Sequence, residues 1–222
     1  DYMRRIIELG YADRVYARYN TNLSRVEYKG INLWEMLKQF RDWQVCASID
    51  GTGAVGEYIR TGLKYDSWLE NFKSGVDVMQ HRRQLKLDYT ITTPGLLEIK
   101  NMVNLSNRLG VELLAKVTFA FDPSILLSPM ALPRSILNQI IDENLDWLKH
   151  NATDLQQSLI DVLENMKQRP TFAEQWPDAY QSEAIRGKQW YNKLDNIRGG
   201  NNMEYILAGD ARLQQWWNSI NE

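Results

Sequence analysis

Trp43-Gln44-Val45-Cys46-Ala47-Ser48-Ile49-Asp50-Gly51 decides how this chain reads. A short apolar run predicts a buried strand, and it stops at a serine, an aspartate and a glycine. A helix follows, with Glu57-Tyr58-Ile59-Arg60 on its second turn. In parallel α/β proteins the polar residues at a strand's carboxyl end face the ligand crevice. Ser48, Asp50 and Arg60 are therefore a candidate site for a ligand bearing hydroxyls, an ammonium and a carboxylate.

Working outward, residues 1–9 read as the end of a helix closed by Gly10, and Arg14 to Tyr19 as a strand stopped by Asn20-Thr21-Asn22. Ile31, Leu33, Trp34, Leu37 and Phe40 have helical spacing. A helical stretch runs from Val55 to Met79 with a break at Gly62. Leu85 to Ile91 alternates as a strand and stops at Thr92-Thr93-Pro94-Gly95. Leu96 to Leu109 is helical, and Glu112 to Phe121 reads as a fourth strand ending at Asp122. Strand–helix alternation of this kind predicts parallel strands joined by right-handed crossovers. Each strand ends in clustered hydroxyls, amides or carboxylates, more than one helix cap per junction requires.

The pattern changes after Phe121. Asp122-Pro123 and Ser128-Pro129-Met130-Ala131-Leu132-Pro133 form a proline-bearing crossing, and the remainder reads as helices over 134–149, 154–167, 190–197 and 211–220. The expected organisation is an α/β part over 1–121, a crossing segment over 122–133 and a helical extension over 134–222. Five of the eight tryptophans lie beyond residue 140. The helical spacing of Trp190-Tyr191 and Trp216-Trp217 suits packing against the α/β part better than a substrate surface.

Charge is nearly balanced, at a formal net −2, so the chain lacks the basic footprint of a nucleic-acid binder. No run approaches the roughly 20 apolar residues of a membrane span. The single cysteine, Cys46, rules out an internal disulfide and any cysteine cluster within the chain, and His81 and His150 have no ligand-spaced partners. The cysteine and histidine counts point to a soluble, reducing, cytoplasmic setting. The chain lacks an initiator methionine and opens in mid-pattern, which reads as the downstream part of something longer.

Gly51-Thr52-Gly53-Ala54-Val55-Gly56 matches G-x-G-x-x-G between a strand and a helix. Asp50 would sit where a pyrophosphate approaches, and no acidic residue ends the next strand at the expected distance. This is also not the first strand of the series, so the match reads as a flexible βα loop. A nucleotide-dependent oxidoreductase would need that loop after the sheet's first strand. Arg60 can form a two-pronged pair with a carboxylate while Ser48 donates beside it. Equally, Asp50 can cap the next helix with Arg60 a surface residue, and spacing leaves both readings open.

Ser48-Ile49-Asp50-Gly51, then Glu57-Tyr58-Ile59-Arg60-x-Gly62 and Trp68-x-x-Asn71, resembles the fourth strand and following helix of radical S-adenosylmethionine enzymes, in the branch with a twitch or SPASM-type extension. Thr21-Asn22-Leu23 is similar to that superfamily's Thr-Asn-Gly turn, with leucine in place of glycine. Leu194-Asp195-x-x-Arg198-Gly199 and the proline crossing also resemble the branch. The resemblance covers most of the chain and is most specific over 43–71.

This resemblance implies a partial parallel (β/α)6 TIM-like barrel, truncated at its N-terminal side, with a mainly helical extension. It implies S-adenosylmethionine across the carboxyl-end rim: Ser48 and Arg60 on the methionyl carboxylate or ribose, Asp50 shaping the loop, and Thr21, Asn22 and Thr92 completing the contacts. It further implies a [4Fe–4S] cluster whose cysteines lie upstream of Asp1, a reductant protein for that cluster, and a peptide or protein-linked substrate. The three clustered cysteines and the Gly-Gly-Glu turn of the superfamily are absent here, and no cysteine follows Cys46, so this chain alone cannot ligate a cluster through thiolates. The alternative from another class is a non-catalytic binding or scaffold protein with a degenerate barrel.

Overall fold

The structure, a computed structural model, describes residues 2–120 and 125–221. The expectations that rest on Phe121, Asp122 and Pro123 lie outside those residues. The centre of the fold is a sheet of four parallel strands, β1 (Tyr16–Thr21), β4 (Asp42–Ile49), β5 (Leu85–Ile91) and β6 (Glu112–Val117), in that spatial order. A two-stranded hairpin, β2 (Glu27–Tyr28) with β3 (Ile31–Asn32), interrupts the first crossover and turns at Lys29-Gly30, both at positive φ. The sheet is open among the described residues. The expected mixed α/β fold with a parallel sheet is met, whereas a closed or six-stranded barrel is not shown.

Strand pairing follows from the alternation. Val45, Ala47 and Ile49 stand beside Leu85, Leu87 and Tyr89, and those beside Leu113 and Ala115. All but Ala115 are fully buried. Helices α2 (Leu33–Leu37), α4 (Tyr65–Val76) and α5 (Ile99–Leu109) supply apolar partners for this face. Trp34 of α2 meets Trp43 of β4 at a ring separation of 5.9 Å, and its indole donates to Ser74 of α4 at 2.9 Å. Gly75 lets α4 sit that close: a Cβ there would fall 2.7 Å from Trp34 and 3.0 Å from Leu85. Helix α5 closes on Gly110 in the left-handed conformation that glycine adopts without steric cost.

Three sequence expectations are corrected. The first strand runs over Tyr16–Thr21 and not from Arg14, because Ala12–Arg14 forms a 3-10 turn. Asn20 and Thr21 therefore lie inside the strand. The last strand ends at Val117, after which the chain turns to hand the Thr118 carbonyl to Ser128. The stretch between 167 and 190 is helical: α8 (Phe172–Gln175) starts with a Thr171–Glu174 capping box, and α9 (Pro177–Arg198) continues for 22 residues.

Helices α6 (Arg134–Asn151) and α7 (Gln157–Gln168) pack together, and α7 lies against β6, where Ser158 Oγ accepts from the Ala115 amide at 3.0 Å. Helix α9 then seats on the crossing through Gly187, where a Cβ would come within 2.8 Å of Ile125. The short α10 (Met203–Leu207) and α11 (Ala211–Ser219) complete the tail, with Trp216 and Trp217 buried as the spacing predicts. One cluster of buried side chains runs through both the sheet region and the helical region.

Candidate functional site

The loop after β4 is held by short-range packing that explains its glycines. A Cβ on Gly56 would lie 2.1 Å from the Gly51 carbonyl oxygen, so helix α3 (Gly53–Ile59) starts directly against the preceding turn. Gly53 takes φ +47°, in the region glycine tolerates. The loop's polar anchor is Glu98, 6% exposed: its carboxylate accepts from the Thr52 amide at 2.8 Å, from the Thr52 hydroxyl, and from Asn101 at 3.1 Å. The glycine-rich stretch is a βα loop, but close packing and the Glu98 carboxylate hold it where flexibility was expected.

Asp50 and Arg60 face one another across this loop. Arg60 Nε donates to Asp50 Oδ2 at 2.7 Å and Nη2 to Oδ1 at 3.2 Å, a two-pronged pair. The carboxylate side chain is 10% exposed and the guanidinium 29%. Asp50 is therefore not the helix cap, and Arg60 is not a free surface cation. Arginine carries five N–H donors in a fork, so the pair leaves part of the guanidinium edge available.

Ser48, two residues earlier, points to the face of the sheet opposite α2, α4 and α5. Its hydroxyl donates to Asp88 Oδ2 at 3.4 Å, and Asp88 also accepts from Lys116 Nζ at 2.6 Å on both oxygens. This second face carries Arg18, Gln44, Cys46, Ser48, Lys86, Asp88, Glu112 and Lys116 by the same two-residue alternation that buries their neighbours. Lys86 pairs with Glu112 at 2.6 Å. Cys46 lies low on this face, and burial pushes its thiol pKa up, offset in part by Arg18.

The remaining rim residues are engaged locally. Thr21 Oγ1 accepts from the Leu23 amide at 3.0 Å, and Asn22 Oδ1 accepts from the Ser24 amide and hydroxyl at 3.2 and 3.0 Å. Thr92 Oγ1 accepts from the Gly95 amide at 2.9 Å in a buried turn. These three oxygens hold turns and do not converge with Ser48, Asp50 and Arg60 through any hydrogen bond.

The residues that carry the family resemblance do meet. Leu23 has φ +50°, the backbone conformation that a glycine at that place would hold without strain, and its carbonyl accepts from Asn71 at 3.0 Å. Glu57 accepts from the Tyr65 amide at 2.8 Å and so starts α4. Tyr58 donates to Asp195 at 3.0 Å, Arg198 reaches the Tyr58 carbonyl at 3.4 Å, and Asp195 also accepts from the Met203 amide at 2.9 Å. Burial, then the Asp195 carboxylate, raises the Tyr58 hydroxyl pKa, which keeps it a donor. The tail is thereby clasped to the helix after β4.

Sequence reading missed Glu98, Asp88, Lys116 and the Tyr58–Asp195 contact as parts of this region. Asp88 and Lys86 were visible as the polar half of an alternating strand, but their partners come from other strands. No family model, curated protein or solved structure matches this chain. Among the described residues no three His, Cys, Asp or Glu side chains gather to hold a metal ion, and no helix is long and apolar enough to cross a membrane.

Proposed function

We propose that this chain is the C-terminal portion of a radical S-adenosylmethionine enzyme of the twitch or SPASM-like branch, a partial barrel that binds S-adenosylmethionine at the carboxyl end of β4. One observation carries the reading: among residues quoted for the resemblance, Arg60 pairs with Asp50, Tyr58 meets Asp195 and Arg198 beside them in the helix after β4, and Asn71 holds the Leu23 carbonyl. The polar face of the sheet supports it. Parallel sheets are ordinarily apolar and covered on both faces, and a sheet with one polar face is suited to line a ligand cavity.

The residues present fit the methionyl end of the cofactor. An amino-acid zwitterion is the complement of an Asp–Arg pair, with its carboxylate for Arg60 and its ammonium for Asp50, while the Ser48 hydroxyl is engaged by Asp88. Bound S-adenosylmethionine supplies, on one-electron reduction, a 5′-deoxyadenosyl radical able to abstract a substrate hydrogen. The chain's own part is to orient that ligand through Arg60, with Glu98 and Gly56 fixing the loop. A [4Fe–4S] cluster does not fit these residues: thiolate ligation needs several cysteines, and the chain has one, buried. In this reading the cluster ligands, the reductant protein and the peptide or protein-linked substrate are contributed from outside residues 1–222.

Calorimetric titration with S-adenosylmethionine tests the site. Arg60→Ala should weaken binding by about 1.5–3 kcal/mol through loss of a charge-assisted pair. Binding equal to that of the parent chain would remove Arg60 from the site. A second reading, a non-catalytic binding protein with a degenerate barrel, draws on the local engagement of Thr21, Asn22 and Thr92. Three clustered cysteines in the coding sequence upstream of Asp1 would decide for the enzyme, and a start codon there for the scaffold.

A further inference from the structure

A cavity of about 280 Å³ lies where the turn between α3 and α4 meets the end of α9. Its walls carry three charged side chains: Glu57 and Lys64 beside the turn, and Arg198 from the tail. Opposite charges in so small a space could close on one another, yet neither Lys64 nor Arg198 forms an ion pair among the described residues. Glu57 gives Oε1 to the Tyr65 amide at 2.8 Å, which leaves its other oxygen unspent. The charges just outside the walls are already engaged. Asp195 accepts from the Tyr58 hydroxyl and the Met203 amide, and Arg60 is paired with Asp50.

Arg198 is held in place with most of its donors unused. Its guanidinium carbon stands 5.9 Å from the centre of the Tyr58 ring, and Nη1 donates to the Tyr58 carbonyl at 3.4 Å. Nε is buried without an acceptor. A buried donor left unpaired costs stability, and a fold that keeps one calls for a reason beyond packing. Of the five N–H groups of an arginine, one is bonded here and one is orphaned, so three remain on the Nη atoms for a ligand. Gly62 and Gly199, at φ +89° and +65°, turn the backbone on the two sides of the cavity, and Leu63 gives it an apolar patch.

We propose that this cavity binds a small α-amino acid as its zwitterion, with the carboxylate on Arg198 and Lys64 and the ammonium on the unspent oxygen of Glu57. A ligand carrying both charges satisfies all three groups together, whereas a bare carboxylate or a phosphate leaves Glu57 facing its own sign. Cavities for drug-sized molecules run from about 300 to 1,000 Å³, so the occupant here is small. Bound there, it joins the α3–α4 turn to the tail beside the Tyr58–Asp195 contact. The site does not rest on the function proposed above. S-Adenosylmethionine carries an amino-acid end of its own, which makes it the competitor to measure.

Titration of the ¹⁵N-labelled chain with L-alanine, N-acetyl-L-alanine and L-alaninamide reads the cavity through the Gly62 and Gly199 amide resonances, one from each wall. Saturable shifts of both are expected with alanine, at concentrations at least tenfold below those that either derivative requires. Arg198→Gln should weaken alanine binding at least tenfold. Glu57→Gln, which keeps an oxygen for the Tyr65 amide, should abolish the preference for alanine over N-acetylalanine. Equal response to alanine and either derivative, no response to alanine, or an unchanged alanine titration in either variant would overturn the proposal. So would inorganic phosphate binding more tightly than alanine. Excess S-adenosylmethionine should leave alanine in place; displacement would give the cavity to the cofactor and end the separate site. A chain that binds alanine but not S-adenosylmethionine keeps this site and loses the cofactor reading, and the opposite result removes this site alone.

Discussion

The two faces of the four-stranded sheet are written by alternate residues of the same strands, yet they answer to different demands. On the helix-covered face Val45, Leu87 and Leu113 are fully buried. On the other, one residue along, Lys86, Asp88 and Lys116 form ion pairs in partial contact with water. Apolar burial drives folding at roughly 25 cal/mol per Å², whereas a partly buried ion pair gives back much of its attraction in desolvation. The first face therefore holds the protein together. The second is free to be selected for what it binds.

Substitution of neighbours on opposite faces tests this contrast most strongly. Leu87→Ala should cost about 2–5 kcal/mol in urea unfolding, whereas Lys86→Ala beside it, which leaves the partly exposed Glu112 unpaired, should cost less. Comparable losses at both would break the distinction. Next in size is the loop that joins the faces. Glu98→Gln keeps the shape but removes the charge that Thr52 donates to, and should lower stability by about 1 kcal/mol. An unchanged thermal midpoint would mean that the loop is held by its glycines alone.

The smallest expected effect lies in the tail. The Arg134 guanidinium, with the Thr171 amide, lowers the Glu174 pKa to about 2. A carboxylate depressed in the folded state adds stability above its ordinary value near 4.5, and that contribution is lost as pH falls toward 2. With the side chain 45% exposed the loss is modest. Thermal midpoints measured between pH 5 and 2 should fall less steeply for Glu174→Gln than for the parent chain. An identical acid slope in both proteins would remove this pair from the account.

Much of the architecture is legible in residues. Strands 43–49 and 85–91 announce themselves by an apolar run and by alternation, and both fall where expected. The hairpin at Glu27–Asn32 has two residues per strand, too few for any period to register. Helix α9 was recognised only from Trp190 onward because its first half is largely polar and small, with few buried positions to mark a face. At the site, the Asp50–Arg60 pair was readable because the two fall within a dozen residues of one strand end, whereas Ser48 turns to Asp88 and does not join them. The Ser48–Asp88–Lys116 chain was not, since parallel neighbours are separated by whole crossovers and their register is set by packing. Thr21, Asn22 and Thr92 show the converse: residues of suggestive chemistry whose oxygens stabilise turns.

The sheet's two margins are unequal. Along β6, Ser158 takes up the Ala115 amide and a helix occupies the space beyond. Along β1 no strand lies outside Tyr16–Thr21 among the described residues. Extension of the four-stranded sheet is therefore vectorial: among the described residues, a further strand would find unpaired backbone groups along Tyr16–Thr21, at one lateral boundary.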